Sequence, residues 1–198
     1  MEYTLITDST HARQALAELA PVYEAVFAEP PYNEGPQDVT DFLARYAWEH
    51  TIPGFRLVLA REDTTLAGFA YGRPLPATAV WWHGVLDTSL PPAFTREDGH
   101  RTFAVMELAV LTRHRGNHTG RHLHDLLLNG VTAERAALCV RPESRAATWY
   151  ERLGYTPVAL TQPTPDAPVY RSMIKTLRQI PGATSRKAAP SGTNQCEV

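Results

Sequence analysis

The sequence predicts an α/β fold built on one sheet, with helices set among the strands in an order that is not a regular βαβ repeat. Three observations predict it. Runs with strand-like composition alternate with segments whose apolar residues recur at helical spacing. The 198 residues, 43% of them hydrophobic, suffice for one sizeable core. The run Thr102–Leu111 leads directly into a basic, glycine-bearing turn, Arg113-His-Arg-Gly-Asn-His-Thr-Gly120, and then into the amphipathic stretch Arg121-His-Leu-His-Asp-Leu-Leu-Leu128.

The elements follow in order. Glu2 to Thr7 opens as a short strand. Asp8 or Ser9 caps a helix running toward Ala28, with Leu16, Leu19, Tyr23, Val26 and Phe27 on one face. Pro21 within it predicts a kink or a split into two helices. Glu29-Pro-Pro-Tyr-Asn-Glu-Gly-Pro36 is a turn-rich loop. A second helix, Asp38 to His50, turns Val39, Phe42, Leu43, Tyr46 and Ala47 inward. Phe55–Arg61 and Thr65–Arg73 form a hairpin, in which Gly68 and Gly72 mark bulges or close backbone approach. Residues 74–101, rich in proline and glycine, form a long excursion with a candidate strand at Thr78–Leu86. Thr102–Leu111 is the third clear strand. A helix from Thr119 to Asn129 buries Leu123, Leu126 and Leu127, and Gly130 ends it. Ala136–Arg141 is a buried strand. Pro142-Glu-Ser opens a helix with Ala146, Trp149, Tyr150 and Leu153 inward. Tyr155–Leu160 and Val169–Thr176 close the sheet as an antiparallel pair. Residues 1–177 are expected to form one domain, and 178–198, rich in Pro, Gly, Ser, Thr and Lys, a disordered tail.

The totals narrow the function. A net charge of −2, with basic residues gathered at one turn, does not advertise a nucleic-acid surface. Met1-Glu-Tyr-Thr lacks a basic region followed by a long apolar stretch, and no segment approaches a membrane span, so a cytoplasmic protein is expected. Cys139 lies in an apolar run and is expected to be a buried thiol; with Cys196 it makes neither a disulfide framework nor a zinc spacing. His114, His118, His122 and His124 lack the carboxylate of a zinc-helix motif and are read as polar-face residues, with no metal expected.

The basic turn carries the chemistry. A helix start offers unpaired N–H groups and partial positive charge, Gly116 and Gly120 allow close approach, and Arg113, Arg115 and Arg121 add cations. A pyrophosphate fits there; a solvent-facing basic loop is the alternative. Neither the P-loop pattern nor the dinucleotide glycine pattern is present. Glu107, on a strand face with Phe103, Val105, Ala109 and Leu111, is either a base with a raised pKa or a buried structural carboxylate. Tyr150, one turn beyond Ala146, is either a proton donor or simple aromatic packing. Phe27, Tyr32, Tyr46, Trp81, Trp82, His83 and Asp87 are candidates to line a pocket. One of the adjacent tryptophans serves it and the other packs elsewhere, and Asp87, Glu34 or Asp38 attracts a protonated amine.

Arg115-Gly-Asn-His-Thr-Gly120 resembles the acetyl-CoA pyrophosphate loop of the GCN5-related N-acetyltransferase (GNAT) superfamily. Arg115 and Gly120 match the family pattern, and His118 stands where its first glycine is expected. Leu108-Ala-Val110 resembles the family strand whose backbone pairs with the pantetheine arm. Tyr150-Glu-Arg-Leu-Gly-Tyr155 resembles the exit of its later helix. The resemblance covers roughly Phe55 to Lys175. It implies a mixed, mostly antiparallel twisted sheet flanked by helices and splayed at the acyl-CoA site. It implies that acetyl-CoA, or another short acyl-CoA, is held by Leu108, Ala109, Val110, Arg115, Gly116, Asn117, His118, Thr119, Gly120 and Arg121. It further implies direct attack by an amine, with Glu107 as base through water and Tyr150 as acid at the coenzyme sulfur. The acceptor expected is a small-molecule amine against Phe27, Tyr32, Trp81, His83 and Asp87. A peptide or protein amine, or a non-catalytic acyl-CoA-binding module, is the alternative. A homodimer is an open expectation.

Overall fold

A computed structural model of the chain describes residues 1–177; the expectation for 178–198, Cys196 included, lies outside the described residues. The strand β1 (Glu2–Ile6) is followed by helices α1 (Ser9–Phe27) and α2 (Pro36–Glu49), then by β2 (Arg56–Glu62) and β3 (Thr65–Pro74). After a short helix α3 (Pro92–Thr95) come β4 (Thr102–Val110), a 3-10 turn (Thr112–His114), α4 (Thr119–Leu128), β5 (Arg135–Val140), α5 (Arg145–Arg152), β6 (Thr156–Thr161) and β7 (Tyr170–Thr176). The seven strands form one sheet in the order β1-β2-β3-β4-β5-β7-β6. Every neighbouring pair is antiparallel except β4–β5.

Strand alternation divides the core in two. Leu57 and Leu59 of β2 pack with α1 and α2, in a cluster that includes Leu19, Phe42 and Tyr46. Val58 and Ala60 pack on the opposite face with Leu123 and Leu127 of α4 and Tyr150 of α5. Asp8 caps α1, its carboxylate accepting from the His11 N–H at 2.9 Å. Pro21 does not split this helix. The carbonyl left without its N–H partner belongs to Ala17, and Ala17 and Pro21 are both exposed, so water can satisfy it. Helix α2 starts earlier than expected because Pro36 suits a first turn and Asp38 accepts from the Gly35 N–H at 2.8 Å. Ala47, expected inward, is exposed, whereas Glu49 is fully buried. Its carboxylate accepts from the Tyr71 hydroxyl at 2.8 Å and from Arg73 Nε at 2.9 Å.

Thr78–Leu86 forms no strand; Val85 makes an isolated bridge to Thr161. Gly84, at φ +68°, breaks the extended run, and a Cβ there would lie 2.1 Å from the Gln162 carbonyl oxygen. The excursion is held instead by Trp82, whose Nε1 donates to Glu97 at 2.8 Å. Arg135 donates to the same carboxylate oxygen at 3.0 Å, and its guanidinium lies 4.8 Å from the Trp82 ring centre. Removing one partner of such a buried pair costs about 3–5 kcal/mol.

Two features of β4 position everything that follows. The first is a bulge. Tyr71 pairs with Glu107 and Gly72 with Val105, so Met106 is an extra residue in the ladder. Gly72 permits this, since a Cβ there would lie 2.4 Å from the Ala104 carbonyl oxygen. The second is a parting of strands. β4 pairs with β5 only from Thr102 to Ala104, against Arg135 to Ala137. Beyond that the sheet splays.

Candidate active site

The bulge reverses the facing of β4. Phe103 and Val105 belong to the core beneath α4 and α5, while Met106 and Ala109 belong to the core beneath α1 and α2. Glu107 therefore does not share a face with Phe103 and Val105, as strict alternation predicts; the extra residue carries it to the other side. There Arg45 of α2 donates to its carboxylate. Burial pushes the Glu107 carboxyl up to about 7, and Arg45 opposes the rise without cancelling it. Arg45 also lies 3.8 Å from Glu49, which joins α2, β3 and β4 in one charged network.

Glu107 opens into a cavity of about 730 Å³ in the splay between β4 and β5. Met106, Glu107 and Leu108 line it from β4, and Leu138, Cys139 and Val140 from β5. Phe27, Tyr32, Trp81 and His83 line it as well. Trp82 packs away from it, so the adjacent tryptophans divide as expected. Asp87 lies elsewhere: its carboxylate accepts from the Leu160 N–H at 2.8 Å and braces β6. Cys139, expected to be buried, is an exposed thiol on the cavity wall, 3.4 Å from the Ser172 hydroxyl. The protein packed around it still pushes its pKa up.

Tyr150 lines the same cavity at 8% exposure. No hydrogen bond to its hydroxyl is formed among the described residues, so the group is free to meet a ligand. Burial holds its pKa well above the ordinary value, and the hydroxyl stays protonated.

A second cavity, of about 900 Å³, adjoins the first; Phe27, Tyr32, Leu108, Ala146 and Trp149 line both. The basic turn forms its far end. Val110, Arg115, Gly116, His118, Thr119, Gly120 and Arg121 all face it. Asn117 is exposed beside it, and Ala109 is buried on the other face of β4. No side chain caps α4, so the N–H groups of its first turn are left for a ligand. His118 takes the left-handed conformation expected of a glycine, at φ 60°. Arg115 is committed within the protein: Nε donates to the Val110 carbonyl at 2.8 Å and Nη1 to Glu29 at 2.6 Å. Arg121 pairs with Asp125 at 2.5 Å. Arg145 and Arg152 on α5 face the cavity with no carboxylate partner among the described residues. Backbone donors and cations together suit a phosphate-bearing ligand. Among the described residues no His, Cys, Asp and Glu cluster could hold a metal, and no helix is long and apolar enough to cross a membrane.

Sequence reasoning missed Arg45, Glu49, Arg73 and Tyr170 as neighbours of this site. Arg45 and Glu49 carried a signal, an opposite-charge pair four residues apart beside the inward Phe42 and Tyr46. Tyr170, at the start of β7, carried none.

Comparison with known proteins identifies the family and the fold. A family model described as "Acetyltransferase (GNAT) family" matches residues 19–155. No curated protein matches the chain in sequence. Among solved structures, aminoglycoside 6'-acetyltransferase type Ii is similar at a TM-score of 0.61 and 17% identity, covering 91% of this chain and 100% of that one. The ribosomal-protein-S18-alanine N-acetyltransferase from Escherichia coli is similar at 0.58 and 15%, covering 93% and 99%. The PaiA N-acetyltransferase from Thermoplasma acidophilum, in complex with coenzyme A, is similar at 0.54 and 10%, covering 89% and 99%. At such identities these likenesses show the fold.

Proposed function

The chain belongs to the acetyltransferase (GNAT) family, and from that premise we propose that it moves an acetyl group from acetyl-CoA to the primary amine of a small molecule by direct attack. The observation that carries the reading is the meeting of two cavities at Phe27, Tyr32, Leu108, Ala146 and Trp149, with Glu107 and Tyr150 on the acceptor side. The donor's pyrophosphate is held by N–H groups from Gly116 to Arg121, with Arg145 and Arg152 offering further charge. Arg115 acts indirectly, fixing the end of β4 to the turn. On the side facing β5, the backbone of β4 beyond Ala104 has no strand partner among the described residues, which suits pairing with the pantetheine arm.

The thioester supplies the carbonyl carbon that the amine attacks; a C–N bond forms and the C–S bond breaks. An ammonium becoming an amide must give up two protons. One passes through water to the Glu107 carboxylate before attack. The other balances the proton that the Tyr150 hydroxyl gives to the departing sulfur, so one proton is released overall. A pKa near 7 suits Glu107 to this exchange at neutral pH.

Glu107→Gln and Tyr150→Phe test these roles. Both should bind acetyl-CoA normally by calorimetry, while turnover in a free-thiol assay falls by about 10²-fold or more. Normal binding with full turnover in both variants would remove both residues from the mechanism. Failure to bind acetyl-CoA in the native protein would remove the function.

A further inference from the structure

We propose that the acceptor is an aromatic monoamine: one ammonium on a short arm, carried by a planar apolar body that bears a hydrogen-bond acceptor. The proposal rests on the reading of the 730 Å³ cavity as the acceptor side of an acetyltransferase.

Charge sets the number of ammonium groups. Two carboxylates line the cavity, Glu34 and Glu107. Glu107 already has Arg45. Glu34 forms no ion pair among the described residues; the Tyr23 hydroxyl donates to its Oε2 at 2.6 Å, and Oε1 is left open. Burial pushes this carboxyl up, and the Tyr23 hydroxyl, Arg45 and Arg141 oppose the rise without cancelling it, so an ammonium in direct contact would favour its charged form. One open carboxylate is matched by one ammonium. Arg45 pairs with Glu107 and Glu49, Arg73 with Glu49 and Arg141 with Glu143, so among the described residues no unpaired carboxylate of the cavity remains for a second. The further ammonium groups of a polyamine or an aminoglycoside therefore find no open carboxylate there.

Shape and polarity set the body. Tyr23, Phe27, Tyr32, Trp48, Trp81 and Tyr170 form the walls, offering ring faces and edges to a planar group. The Trp81 Nε1–H is buried and has no acceptor among the described residues. An indole N–H left unpaired costs free energy, and a hydroxyl or carbonyl oxygen on the ligand would satisfy it.

An amine panel with acetyl-CoA tests this: tyramine, phenethylamine, spermidine, kanamycin and a short peptide with a free N-terminal alanine. Tyramine should exceed spermidine, kanamycin and the peptide in kcat/KM by about tenfold or more, since the extra ammonium groups of the first two are buried without a carboxylate partner and the peptide lacks the planar body. Glu34→Gln should raise the KM for tyramine by about tenfold without changing acetyl-CoA affinity. Trp81→Phe should erase the preference for tyramine over phenethylamine. Three results would each overturn the class: a polycation or the peptide used best; acetyl-CoA bound but no aromatic amine consumed; or Glu34→Gln leaving the tyramine KM unchanged. Loss of acetyl-CoA binding is a separate outcome, which would overturn the parent reading and this one with it.

Discussion

Glu107 carries two opposed influences, and their balance is measurable. Burial disfavours its charge, while Arg45 favours it, and burial wins. Because the ionised carboxylate is the base, kcat/KM should rise with pH through a limb near 7, and Glu107→Gln should abolish that limb. Arg45→Gln removes the cation that favours ionisation, so the limb should move to higher pH; a pH–rate profile that stays put or moves down would contradict the pairing. His118 offers a second check. Its left-handed backbone costs about 1–2 kcal/mol, while a glycine there adds about 0.4–1 kcal/mol of unfolded-state freedom. His118→Gly should therefore leave stability unchanged or raise it slightly. If backbone N–H groups hold the phosphates, acetyl-CoA affinity should change by less than about threefold; a larger loss would assign the contact to the imidazole. At this scale the residue types of the site were legible, but their partners were not. Nothing in the residues around position 107 announces Arg45, which comes from another element far along the chain.

The bulge in β4 is the element on which the acceptor side turns. It exists because β3 offers a glycine where the strands crowd: at Gly72 a Cβ would lie 2.4 Å from a carbonyl oxygen and 2.5 Å from the Phe103 ring. Gly72→Ala should lower unfolding stability by about 1–3 kcal/mol in urea titration. It should also depress turnover more than acetyl-CoA binding, since it disturbs Glu107 and not the basic turn. An unchanged denaturation midpoint would argue that β4 can shift freely. The hairpin, the turn-to-helix unit and the closing pair were legible, because each rests on local periodicity or turn chemistry. The bulge was foreseeable only as a choice at Gly68 and Gly72. The candidate strand at Thr78–Leu86 failed because Gly84 packs on the Gln162 carbonyl, a contact between distant segments.

Across the whole molecule, the sheet splays where β4 and β5 part, and the two cavities lie along the opening. A ligand filling such a split binds the folded state alone. Acetyl-CoA at 100 times its Kd should stabilise the protein by about 2.7 kcal/mol, or about 5–10 °C in Tm for a domain of this size. Coenzyme A should give a shift of similar size, because the phosphates and the pantetheine arm are common to both. A thermal shift absent with both would mean that the folded protein binds neither, and would remove the proposed function. The α/β class was legible from element order, and the mixed character of the sheet from the family resemblance. The length of β4–β5 pairing was not, because parallel neighbours are joined through a distant crossover and leave no local mark on either strand.

By itself the sequence determined most of the elements and the basic turn, since capping, periodicity and turn chemistry act over a few residues, and it singled out Glu107 and Tyr150 as candidates, Tyr150 chiefly through the family resemblance. Only the tertiary structure decided which way Glu107 faces, that Arg115 is tied inward, that Cys139 meets a cavity and that Glu34 forms no ion pair among the described residues. Those are matters of register and of contact between segments far apart in the chain, where a single extra residue in a ladder exchanges one face for the other.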